Sequence, residues 1–155
     1  MAYASKSFLK RAGAELNRVL DEEIFLYLLD LEVKRSRRYQ NFFSILVLKL
    51  KELPDRDDGR GLQACYQRLT HLLEEEARDS DVLGTLGEKR LAVILPYADT
   101  SSGSFTRSRF ENSLQYCDFT REGYQVVVEQ LCFPSDGADT SDLVRKVIGA
   151  ESANS

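Results

Sequence analysis

Arg78-Asp79-Ser80-Asp81-Val82-Leu83-Gly84-Thr85-Leu86-Gly87-Glu88-Lys89-Arg90-Leu91-Ala92-Val93-Ile94-Leu95-Pro96 is the stretch around which the chain is organised. Two short apolar runs, Val82 to Leu86 and Leu91 to Leu95, flank a polar break that contains a glycine. This pattern predicts a β-hairpin, and Gly87 suits its turn because glycine tolerates positive φ. Arg78 and Asp81 form an Arg-x-x-Asp step immediately before the first strand. By composition alone they are an ordinary solvent-facing pair at a helix-to-strand junction.

Upstream, residues 4 to 40 carry helical periodicity through Phe8, Leu16, Val19, Leu20, Ile24, Tyr27, Leu28 and Leu31, predicting one long helix or two in series. The basic close, Lys34 to Arg38, reads as a solvated helix face and C-terminus. Phe43 to Lys51 is a buried central strand, with Lys49 and Lys51 on one face and Leu48 and Leu50 on the other. Pro54 to Gly61 is a loop, and Leu62 to Ala77 returns to helical spacing. Downstream of the hairpin, Thr100 to Cys117 predicts a helix, Tyr124 to Phe133 a strand, and Pro134 to Gly137 a turn. Asp139 to Gly149 closes the chain as a short helix, capped by Asp139 or Thr140, before a frayed tail over 151–155.

The 155 residues are most simply one domain with its own core. Apolar content of 43%, charged content of 30% and a net charge of −4 fit a globular protein that does not coat nucleic acid. No apolar run reaches the roughly 18 residues of a membrane span and no signal-peptide pattern opens the chain, so a cytoplasmic location is expected. Cys65, Cys117 and Cys132 are widely spaced within apolar-periodic segments, as reduced core thiols are. His71 is the one histidine. It is expected at a surface or partly buried helix position, and neither a histidine triad nor a metal site is expected.

The spacing of the hairpin stretch adds a family. Arg-x-x-Asp, a five-residue gap, a turn opening on glycine and a strand ending in Leu-Pro resemble the GGDEF domains of diguanylate cyclases. Gly87-Glu88-Lys89-Arg90-Leu91 stands where the Gly-Gly-[Asp/Glu]-Glu-Phe signature would be, with four of its five positions changed. Residues 16–21, Leu-Asn-Arg-Val-Leu-Asp, replace the family's Leu-Thr-Gly-Leu motif. The resemblance implies an α/β fold with a palm-like, mixed, largely antiparallel sheet flanked by helices. It divides the chain into an N-terminal helical extension (1–21), a degenerate GGDEF domain (22–150) and a tail.

For the site, the resemblance implies a lost enzyme and a kept regulatory motif. It sets Lys49 and Lys51 where the family has metal-binding aspartates, Lys89 on the hairpin ligand, and Asp57 and Tyr66 near the guanine-reading positions. Glu88 puts an anion where the triphosphate would approach, and no cofactor is expected. The lysines and Arg90 then either form an anion pocket or pair with carboxylates such as Glu52 and Glu88. In the family Arg-x-x-Asp binds cyclic di-GMP, joined by an arginine 28 positions beyond the aspartate, which is Arg109 here. Arginine forks match guanine O6 and N7, and a carboxylate matches guanine N1–H and N2–H₂. The implied function is a bacterial cyclic di-GMP receptor in biofilm signalling, binding a stacked ligand pair and acting on a protein partner or homodimer through the N-terminal helix. The alternatives are an interaction module that binds no nucleotide, and a plain salt bridge between Arg78 and Asp81.

Overall fold

The computed structural model describes residues 18–54 and 61–153. The expectations placed on residues 1–17, on Asp57 and on the rest of the 55–60 loop lie outside them. Elements follow in the order β1 (Val19–Leu20), α1 (Glu22–Tyr39), β2 (Phe43–Glu52), α2 (Leu62–Glu76), β3 (Val82–Thr85) and β4 (Arg90–Pro96). Then come α3 (Thr100–Leu114), a 3-10 turn (Thr120–Glu122), β5 (Tyr124–Phe133) and α4 (Thr140–Ala153). They build a five-stranded sheet in the order β1-β3-β4-β2-β5. β1 runs parallel to β3, and every other neighbouring pair is antiparallel.

The sheet is covered on both faces. Leu46, Leu48, Leu50, Leu83, Leu91, Val93 and Val128 meet Cys65, Leu69 and Leu73 of α2 and Phe110 of α3 on one side. Ile45, Val47, Ala92, Ile94 and Phe133 meet Phe25, Leu29 and Val33 of α1 and Leu143 and Val147 of α4 on the other. Burial on both faces explains why β2 and β4 read as nearly continuous apolar runs. α1 is bounded by Glu22 and Glu23 in its first turn and by Arg37 and Arg38 in its last, matching the helix dipole. Asp99 caps α3, its carboxylate accepting from Ser102 N at 2.8 Å, and Asp139 caps α4 through Asp142 N at 2.8 Å.

Some boundaries differ from the sequence reading, and α3 ends at Leu114, short of the expected Cys117. Val19 and Leu20 form a strand instead of continuing a helix. Their adjacent side chains go to opposite cores, Val19 to the α2/α3 side and Leu20 to the α1/α4 side, as only an extended backbone allows. Pairing with Leu83 and Gly84 then outweighs the helical spacing. At the other end α4 runs on to Ala153, through the first part of the expected tail. The hairpin closes as expected, with Gly87 at φ 88°.

Candidate functional site

The Arg-x-x-Asp step is a closed turn between the end of α2 and the start of β3. Arg78 N donates to Asp81 Oδ2 at 2.9 Å, and Asp81 N donates back to Arg78 O at 3.0 Å. The three-residue offset therefore has a local cause, since an aspartate there reaches back to the turn's first amide. Asp81 is only 9% exposed, and burial raises its pKa. The Arg78 amide and the charges of Arg18, Arg109 and Arg78 oppose that rise.

Arg109 reaches the same place from α3. Its Nη2 donates to Glu76 O at 2.9 Å and its Nε lies 3.6 Å from Glu76 Oε2. Ser113 Oγ donates to the other oxygen of Glu76 at 2.7 Å. Arg109 thus lies beside the end of α2, near enough for its charge to act on Asp81, and the Arg78 side chain there is exposed. Arg107, two residues earlier on α3, pairs with Glu111 at 3.6 Å instead. Sequence reasoning missed Arg18, which donates to Ala77 O at 3.3 Å, to Asp81 O at 3.0 Å and to Arg78 O. Its contacts lie about sixty residues away in the chain, so no local spacing marks it.

The hairpin end of the sheet has a different character. Lys49 Nζ lies 3.2 Å from Glu129 Oε1 on β5, and Lys89 Nζ lies 2.8 Å from Glu52 Oε1. Arg90 Nε donates to Leu86 O at 2.8 Å. Gly87, Glu88 and Lys51 are exposed, and Leu91 is a core residue. Within this cluster Lys49 and Lys89 pair with carboxylates, Glu129 being a partner the spacing did not reveal. His71 sits exposed on α2 beside Glu75, while Cys65 and Cys132 are buried and Cys117 is half-buried. Among the described residues no helix is long and apolar enough to cross a membrane.

No family model matches the sequence, and no curated protein matches it. Solved structures do match. A DGC protein from Thermotoga maritima superposes with a TM-score of 0.71 at 16% identity, over 86% of this chain and 96% of that one. The fold is that of a GGDEF domain. The FimX GGDEF domain from Pseudomonas aeruginosa gives 0.70 at 14% identity, over 85% and 86% of the two chains. The GGDEF domain of DgcB from Caulobacter crescentus, solved in complex with c-di-GMP, gives 0.67 at 15% identity, over 88% and 85%.

The resemblance to diguanylate cyclases implies divalent metal ions, and the lysines it sets at the ligand positions do not suit them. Of the three positions that the resemblance assigns to metal ligands, Lys49 and Lys89 carry an ammonium group paired with a glutamate, and Lys51 carries an exposed one. Lysine is a donor with no lone pair to offer while charged, and Mg²⁺ takes oxygen ligands.

Proposed function

We propose that this chain is a non-catalytic receptor for cyclic di-GMP, acting in the cytoplasm through a protein partner. The observation that carries the reading is the turn of Arg78 and Asp81 with the charge of Arg109 acting on Asp81 and Arg18 beside them. The exposed Arg78 fork takes guanine O6 and N7, Asp81 takes the guanine N–H donors, and Arg109 takes a phosphate or the second guanine of a stacked pair. The lysines at the hairpin end support the loss of cyclase chemistry. Protein contact falls to the N-terminal segment and the adjoining exposed stripe of α1, Ile24, Tyr27 and Leu31.

The test is calorimetry with cyclic di-GMP at one salt concentration. Arg78→Ala and Arg109→Ala weaken binding, each lost arginine contact being worth roughly 1–3 kcal/mol, or about five- to 150-fold. Arg107→Ala changes it little. No heat from wild type at about 100 μM ligand, where only binding weaker than about 5.5 kcal/mol stays hidden, overturns the receptor reading. Sustained cyclic di-GMP synthesis from GTP with Mg²⁺ or Mn²⁺, abolished by Lys89→Ala, overturns the loss of catalysis. A second reading, an interaction module without a nucleotide, draws on the internal engagement of Asp81 by the Arg78 amide and of Arg109 by Glu76.

A further inference from the structure

β5 is the last strand of the sheet, and among the described residues its outer edge is capped only at its ends. Leu50 N donates to Lys89 O and Leu53 N donates to Gly123 O, so even-numbered residues of β2 face β4 and odd-numbered ones face β5. By the register of the pair, odd residues of β5 face β2 and even ones face outward. The outward amide of Tyr124 is taken by Phe119 O at 3.1 Å. That of Cys132 is taken by Asp136 Oδ2 at 2.7 Å, and Cys132 O accepts from Asp136 N at 2.7 Å. Between these caps, the outward backbone groups of Val126, Val128 and Gln130 find no hydrogen-bond partner among the described residues. A cleft of about 330 Å³ runs beside Val126 and Val128, bounded by Leu114, Gln115 and Phe119.

We propose that this edge pairs with the same edge of a second copy of the chain, antiparallel about a two-fold axis through Val128. Three features select a second copy. The free segment is symmetric about Val128, so one register satisfies all three positions: Val128 on Val128, and Val126 on the second copy's Gln130, in both directions. In that register Glu129 stands opposite Val127 and Gln125 opposite Leu131, so no like charges stand directly opposite, and the two Glu129 side chains, diagonal across the axis, are each paired with Lys49 of their own chain. Helix α3 also follows the strand, from Ser104 bonded to Gln130 towards Leu114 beside Val126 and Val128. The two-fold therefore sets two α3 helices antiparallel, with Arg107 of each copy facing Glu111 of the other. At the strand ends, Arg121 of one copy comes beside Ser135 and Asp136 of its neighbour. The pairing is independent of any nucleotide, and a free apolar edge of this length is a template for strand addition.

The test is sedimentation equilibrium of the full chain with two variants, together with one spectroscopic distance. Wild type dimerises at concentrations up to about 100 μM. Val128→Pro removes an amide that β2 does not use, and it weakens the dimer about five- to 150-fold through the two lost symmetric bonds. Arg107→Glu also weakens it, without touching the sheet, and Arg107→Glu/Glu111→Arg restores it. A nitroxide at Gln125→Cys in a Cys117→Ser background reports a backbone separation of about 20 Å, because residues 125 and 131 stand opposite across the axis and rise about 3.3 Å each. A wild-type chain that stays monomeric at about 1 mM overturns the proposal. So does a dimer indifferent to Arg107→Glu, or one whose labels lie far from that separation. These two readouts decide the matter even where Val128→Pro fails to fold.

Discussion

Lys49 Nζ stands 3.2 Å from Glu129 Oε1 across the β2–β5 pair, and the lysine side chain is 9% exposed against 42% for the glutamate. The cation is thus the buried member, and removing either partner has unequal consequences. Glu129→Ala strands a buried ammonium, and we expect it to cost about 1–3 kcal/mol in urea unfolding. Lys49→Met leaves a glutamate that water can reach, and it is expected to be neutral or slightly stabilising. Equal losses for the two variants would show that the pair is held in bulk-like solvent.

The ring of Phe25 fills the space above Gly84. A Cβ on Gly84 would come within 2.4 Å of Phe25 Cδ2, and Phe25 is fully buried. Gly84 is therefore a place where α1 lies close against the sheet. Gly84→Ala is expected to cost about 1–3 kcal/mol by overpacking, with part recovered by Phe25→Leu in the double variant. The midpoint of chemical unfolding checks it. An unchanged midpoint would mean that α1 shifts freely on the sheet.

Most of the sheet was legible because its strands are long and apolar. β2, the hairpin and β5 were read from Ile45, Val93 and Val126 and their neighbours, where apolar runs of strand length, rich in β-branched residues and bounded by turn residues, argue against a helix. β1 was not legible. Val19 and Leu20 share spacing with Leu16 and Ile24, and only their pairing with Leu83 and Gly84, over sixty residues on, makes them a strand. Arg78, Asp81 and Arg109 were singled out by a resemblance and its offsets, while the closed turn at Arg78 and the burial of Asp81 were not read from the junction. Arg18 and Glu129 were not singled out, because each acts on a partner that folding brings near from far along the chain.

Cys65 donates to Glu122 Oε2 at 3.2 Å, and its thiol pKa is pushed up to about 11 by burial and by that carboxylate. The thiolate is the reactive form, so Cys65 stays inert at neutral pH. Cys117 is half-buried beside the α2–α3 groove. Alkylation at pH 8 followed by peptide mass spectrometry should mark Cys117 well before Cys65. Labelling of Cys65 at a rate equal to that of Cys117 would mean that the α2 contact with Glu122 opens readily.

Asp81 separates the structural role of the turn from its proposed ligand role. Its folded pKa lies above the ordinary value of 3.8, chiefly because burial disfavours the carboxylate. The folded state then holds the proton more tightly than the unfolded state. The group's contribution to stability is full below 3.8 and is lost as pH rises through the raised folded value. Asp81→Asn has no such titration and keeps an oxygen for the Arg78 amide. We expect it to match wild type at pH 3 and to be equally or more stable at pH 7. Asp81→Ala loses the bond to the amide at every pH, at a cost of about 0.5–2 kcal/mol. Asparagine, being neutral, is a weaker acceptor for the paired N–H donors of guanine. Asp81→Asn should therefore fold normally while binding cyclic di-GMP less tightly than wild type. Urea unfolding at pH 3, 5 and 7, paired with calorimetry on the same preparations, gives both answers. A stability advantage for Asp81→Asn that grows towards acid pH would reverse the sign of the burial effect. Undiminished ligand binding in a well-folded Asp81→Asn would take the carboxylate out of the site and leave it only as the cap of the turn.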